Sequence, residues 1–412
     1  VPSLFGLERD KDVEALRELL ATSDNPMVRK RAAEILGNLD ETGDEEIETL
    51  VAAVQNDEDE AVRAASIDAL TQLEAIDALL TALGRNVPEE SANWAKAETF
   101  VSDLTADAPE LRMAAANVLG QIGSENAVRP LMSALDDRDP RVRARAARAL
   151  GQIGEPTAAG ALANRLHGEP LPVRREAADA LGHLGGDDAL EGLLTIVDAD
   201  SEELRRTAAT SLGRFGDERP IDALVDLLGD ESDLVRRSAV FSLIEILSNV
   251  DSEKSDDLRQ SIVERMSASD DPSIVQSLAE IVEEGTQLHQ RRNAVCMLGR
   301  VAGEQSKKTA GESLINVLDD EDQLIQQFAA TSLAEIGGRS VETALLHTID
   351  EATSTDAIAM AAFTLGKVGS DRAKRRLERL VDDTESEEVR RKAFSAMSKL
   401  GGGGQDFGGL DF

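Results

Sequence analysis

The chain repeats itself, and this constrains its fold more than any other property. "VRARAARALGQIG" begins at Val142, and the same frame recurs as "LRMAAANVLGQIG" from Leu111, "VRREAADALGHLG" from Val173, "LRRTAATSLGRFG" from Leu204 and "VRRSAVFSLIEIL" from Val235. Those five starts are 31 residues apart four times in succession. More distant copies begin at Val28, Val62 and Val389, and degraded ones at Ile274, Gln290, Ile325 and Ala357. Self-similarity at a period of roughly 20–50 residues marks an array of stacked units, each too small to bury its own apolar face.

Each unit reads as two helices. "NAVRPLMSALDD" is a short first helix, and the turn "DDRDP" puts Pro140 at a permitted helix start. In the second helix Val142, Ala146, Ala147 and Leu150 share one apolar face, and Gly151 and Gly154 are expected to end it and turn the chain. Aromatics make up 2% of the 412 residues and Tyr is absent, so the core is built from Leu, Ala, Val and Ile, which suits closely packed helices. The expected fold is an all-α solenoid of about eleven helix pairs, spanning on the order of 100 Å.

The period divides the chain into residues 1–84 (N-terminal repeats), 85–107 (a helical insertion), 108–250 (the regular repeats), 251–400 (divergent repeats) and 401–412 (a Gly-rich tail). In the insertion Trp94, Ala97, Val101 and Leu104 share a helical face, and Trp94 is a candidate partner-binding residue. Residues 285–303 read as a second helix lacking its own first helix, where the stacking is expected to change direction. The tail "GGGGQDFGGLDF" carries Phe407, Leu410 and Phe412 outside the repeat pattern. They read either as a cap over the last repeat or as a tethered docking motif for a partner or for self-association.

Charge narrows the partners. There are 79 acidic residues against 44 basic ones, for a net charge of −35. A surface this acidic repels itself in dilute buffer and is tolerated in molar salt, where screening acts within about 3 Å. The composition resembles that of cytosolic proteins of salt-loving archaea; an ordinary acidic scaffold is the other reading. Nucleic acid and anionic membranes are unfavourable partners for a polyanion. With no membrane-length apolar run and no signal-like segment, the chain reads as cytoplasmic.

Catalytic and metal-binding signals are weak. Cys296 is the single cysteine, and His167, His183, His289 and His347 are scattered without metal-ligand spacing. His289 and Cys296 lie seven residues apart, about 10.5 Å along a helix and too far for a thiolate–imidazole pair. No Walker-type, dinucleotide-binding or EF-hand string occurs. The expectation is a non-enzyme with no cofactor and no metal.

The repeated "VRxxAAxxLGxxG" frame resembles the HEAT-repeat family, in particular its short variety, often called PBS-lyase-like repeats. The resemblance covers nearly the whole chain. It implies a scaffold or adaptor that binds proteins, and short HEAT proteins among the chemotaxis proteins of salt-loving archaea extend this to linking signalling proteins with the motility machinery. A bilin or cofactor lyase, or a chaperone, is the alternative that the same family offers. The resemblance also implies a ladder in which the Arg after the first apolar residue (Arg29, Arg63, Arg112, Arg143, Arg174, Arg205, Arg236 and Arg390) bonds acids of its own and the neighbouring turn. Asp24, Glu58, Asp107, Glu169, Asp200 and Glu231 stand five residues before the Arg in most copies.

A further set of arginines lies off the ladder. Arg141, Arg145 and Arg148 share one helical face, while Arg175, Arg206 and Arg237 occupy one repeat position in three successive units. They read either as charges neutralised by nearby carboxylates or as a groove that anchors an acidic protein partner. No aromatics interleave with them for stacking on bases.

Overall fold

A computed structural model describes residues 7, 12–39, 43–84, 93–249, 252–269 and 271–401. The chain divides into two compact units, Val1–Ser211 and Leu212–Phe412. Among the described residues every regular element is helical, giving the all-α solenoid that the repeat predicts.

In the first unit the pairs are Val13–Thr22 with Pro26–Gly37, Asp44–Asn56 with Glu60–Gln72, Val128–Ala134 with Pro140–Ile153 and Ala159–Ala163 with Leu171–Leu184. Asp or Asn caps several second helices, as where Asn25, Asp59 and Asp139 each accept a backbone N–H of the first turn. Pro follows the cap at Pro26 and Pro140, where its missing N–H costs nothing. Helix Asn93–Asp103 packs on Pro109–Ile122 and buries Ala97, Phe100 and Leu104. The segment read as an insertion therefore contributes a first helix. Phe100 takes the inward place expected of Val101, which is half-buried. The Trp94 side chain lies outside the described residues, as do Phe407, Leu410 and Phe412.

Successive second helices meet backbone to backbone. A Cβ added at Gly151 would lie 2.7 Å from Ala180 Cα, and one at Gly182 2.7 Å from Ser211 Cβ. Gly120 stands in the same relation to Ala149. The helix continues past Gly151 to Ile153, and only Gly154, at φ 76°, ends it in the left-handed region. The expectation that both glycines end the helix is thus half right: Gly151 is there to let the next helix approach.

In the second unit Ile221–Asp226 pairs with Asp233–Asn249, Lys307–Asn316 with Gln323–Ile336, Gly338–Glu351 with Thr355–Val368 and Asp371–Asp383 with Glu387–Gly401. Helix Leu288–Val301 does not lack a first helix, because Pro272–Glu284 packs against it and against Lys307–Asn316. Leu288–Val301 also reaches back to Asp233–Asn249, where Asn293 Nδ2 donates to Ser248 Oγ at 3.1 Å and Gln290 donates to Glu245. Helix Ser252–Ser269 contributes Ile262, Val263 and Met266 to the core here.

Candidate functional site

The first arginine of each second helix builds the ladder, with a division of labour that the sequence did not show. Its Nη1 bonds the backbone of its own turn, six residues back: Arg29 to Ser23 O, Arg112 to Ala106 O and Arg143 to Asp137 O, at 2.7–2.8 Å. Its Nε and Nη2 bond a carboxylate of the following unit: Arg29 to Asp57, Arg63 to Glu110, Arg112 to Asp137 and Arg143 to Glu169. The acids five residues before these arginines, such as Glu58 and Asp107, supply backbone carbonyls rather than carboxylates. Arg236 follows the pattern in the second unit, bonding Asp230 O and Asp271. Arg174 departs from it, since its Nε donates to Leu166 O at 2.7 Å.

The arginines off the ladder converge in the first unit. A groove of about 530 Å³ is floored by Ala61, Ala64, Ala65 and Ala144 and lined by Arg141, Arg145, Arg148, Arg175, Asp68 and Glu176. Helices Glu60–Gln72, Pro140–Ile153 and Leu171–Leu184 position these side chains. Arg141 bonds the N-cap Asp139 and reaches Glu60 at 2.8 Å. Arg145 donates through Nε to Asp68 Oδ1 at 3.1 Å, and Asn117 Nδ2 donates to the same oxygen at 2.9 Å. These two arginines tie helices whose bonded residues lie about eighty positions apart in the chain. Arg148 makes a two-point contact with Glu176 at 2.9 and 3.0 Å, while Arg175 bridges Glu176 and Glu203, each at 2.9 Å.

Burial by itself would push the Glu176 carboxyl up, but Arg148 and Arg175 outweigh it and hold the group below the usual carboxylate range. The hydrogen bond to Glu176 raises Arg148 above its ordinary value against a smaller burial penalty. Hydrogen bonding by Arg141 likewise depresses Asp139. Pairing balances most of the local charge. The lining holds Lys30, Arg31, Arg141, Arg145, Arg148 and Arg175 with Glu34, Asp68 and Glu176, and Glu60, Asp139 and Glu203 pair with its arginines from the rim, a concentration of arginine in a chain of net −35. The Arg148 and Arg175 side chains remain 37% and 42% exposed.

The structure thus gathers Arg141, Arg145, Arg148 and Arg175, and pairs each with a carboxylate. Arg206, in the same unit, is exposed, does not line the groove and makes no ion pair among the described residues. Arg237, in the second unit, pairs with Glu280 at 2.8 Å and lies 5.6 Å from the centre of the Phe241 ring. Sequence reasoning missed Asp68, Glu60 and Glu176 as partners. Repeat columns hold the signal: three and six residues after the first apolar position stand Arg31 and Glu34, Arg145 and Arg148, and Glu176 and Asp179. Among the described residues no three His, Cys, Asp or Glu side chains are grouped to hold a metal ion. No helix there is long and apolar enough to cross a membrane.

The sequence profile of HEAT repeats matches residues 13–97, 97–177, 161–244 and 311–398. The chain is 62% identical over 405 residues to the "HEAT repeat-containing taxis protein" of Halobacterium salinarum, covering 98% of this chain and 100% of that protein. A solved structure, that of an engineered protein, is similar at 22% identity over 95% of this chain and 100% of its own, with a TM-score of 0.41.

Proposed function

The chain belongs to the HEAT-repeat family, and from that premise we propose that it is a non-catalytic adaptor in the taxis signalling of a salt-loving archaeon. Its groove in the first unit receives an acidic segment of a protein partner. One observation carries this reading: an arginine-lined groove in a strongly acidic chain, in which Arg148 and Arg175 are held in place by Glu176 yet stay partly exposed. Pairing fixes the guanidinium planes in advance, so less side-chain entropy is lost when a carboxylate partner arrives. Arg141 and Arg145 hold the groove's walls together, and Arg148 and Arg175 make the recognition contacts. The taxis assignment is supported by the name of the Halobacterium salinarum relative, a taxis protein, and the salt-loving host by the acidity of the chain.

Deletion of the gene in a haloarchaeal host, followed by complementation, tests both parts. Wild-type protein restores directed swimming on soft agar, whereas an Arg148→Gln, Arg175→Gln double variant of unchanged helical signal does not. Normal taxis in the deletion strain refutes the pathway. Full rescue by the double variant refutes the groove.

A further inference from the structure

The last repeat leaves its stacking face open. Five residues after the first apolar position, every clear copy buries a small or branched side chain: Ala116, Ala147, Ala178, Ala209 and Val240 are all 0% exposed. The same position in helix Glu387–Gly401 is Phe394, 62% exposed. Three residues on, where other units bury Leu150, Leu181 and Leu243 completely, stands the half-buried Met397. The ladder is open at the same place. Arg390 bonds its own side, through Nη2 to Thr384 O at 2.5 Å and Nε to Val381 O at 3.4 Å, and meets no carboxylate among the described residues. A terminal repeat of a solenoid normally ends in a polar outer face. This one ends in a phenylalanine, a methionine and a guanidinium whose Nη1 has no partner among the described residues, so an occupant that suits it brings apolar surface together with a carboxylate.

The chain that follows has that chemistry. Residues 401–412 read "GGGGQDFGGLDF", with two Asp, two Phe and one Leu and no basic residue. The reach also fits. Phe394 lies seven residues before Gly401 and Arg390 eleven, about 10 and 16 Å along the helix. Six extended residues carry the chain roughly 20 Å to Phe407, and ten carry it roughly 33 Å to Asp411. A run of four glycines is compatible with a reversal of the chain.

We propose that the segment Asp406–Phe412 docks on the open face of helix Glu387–Gly401 of its own chain, with Phe407 covering Phe394 and Met397 and the Asp411 carboxylate pairing with the Arg390 guanidinium. The proposal stands apart from the groove reading and holds whether or not that reading does.

Hydrogen exchange on the full chain in 2 M KCl tests it, with helix Pro140–Ile153 as the internal reference. Phe407→Ala should speed exchange of the 389–400 amides at least about tenfold, the effect of uncovering one aromatic side chain. Arg390→Glu and Asp411→Arg should each do the same singly, and the two together should restore protection. Unchanged exchange in Phe407→Ala, or independent effects of the two charge reversals, overturns the proposal. Protection that falls on tenfold dilution of the protein also overturns it, in favour of the same segment supplied by a second copy.

Discussion

Arg112 donates from Nε and Nη2 to the two carboxylate oxygens of Asp137, at 2.7 and 2.9 Å, while its Nη1 holds Ala106 O and Asp107 O on the near side. Its side chain is only 5% exposed, so the contact joins two units in a place that water barely reaches. Arg112→Gln should therefore destabilise the first unit by about 3 kcal/mol, largely through the carboxylate left behind. Urea unfolding of Arg112→Gln, Asp137→Asn and the double variant measures the coupling. A double variant as costly as the sum of the two singles would show that the pair does not act as a pair.

Gly151 offers a steric prediction. An added Cβ meets Ala180 backbone at 2.7 Å, so Gly151→Ala should cost roughly 1–3 kcal/mol. Gly160, also helical, has open space around its missing Cβ, and Gly160→Ala should be neutral or stabilising by up to about 1 kcal/mol. Equal melting temperatures for the two variants would contradict the close approach.

Acid should unfold the chain through its paired carboxylates. Hydrogen bonds from Arg29, Arg141 and Arg292 depress Asp57, Asp139 and Asp322; in Glu110 and Glu176 burial acts the other way, but their arginines outweigh it. A carboxyl depressed in the folded state adds stability that is fully present above its unfolded value, about 4, and is lost as pH falls through the folded value. Melting temperature should be flat from about pH 6 to 8 and drop steeply below about pH 4. A profile without that acid limb would mean that the pairs contribute nothing to folding.

Salt should act in the opposite sense to its usual effect on ion pairs. With a net charge of −35, repulsion spread over the surface outweighs the ladder, whose members are partly buried and poorly screened. The melting temperature should rise from 0.1 to 2 M KCl, and a flat or falling curve would remove the case for a halophilic protein.

The second helices were legible because their cues are local: an Asp or Asn cap, a Pro, apolar residues at i, i+4, i+5 and i+8, and a closing Gly. The ladder was half legible, since Arg143 carries a sequence signature but the carbonyl of Asp137 that it bonds carries none. The groove was legible as a set of arginines and not as a set of pairs. Arg145 finds Asp68 only when the array brings helices two units apart together, and no period links those residues. Helix Pro272–Glu284 misled for a different reason. It has the Asp–Pro start of a second helix and takes Arg236 at Asp271 as one would, yet it also lies beneath Leu288–Val301 as a first helix.

Asp137 faces two ways, taking Arg112 on its carboxylate and Arg143 on its carbonyl. Asp57 is the same two-sided socket, with Arg29 on its carboxylate and Arg63 on its carbonyl, so one second helix can follow another wherever such sockets match. Excising a whole period of 31 residues leaves complementary halves facing each other, whereas excising part of one strands a guanidinium and a carboxylate together. An array built this way changes length in whole units, and its reach can be altered without redesigning any joint.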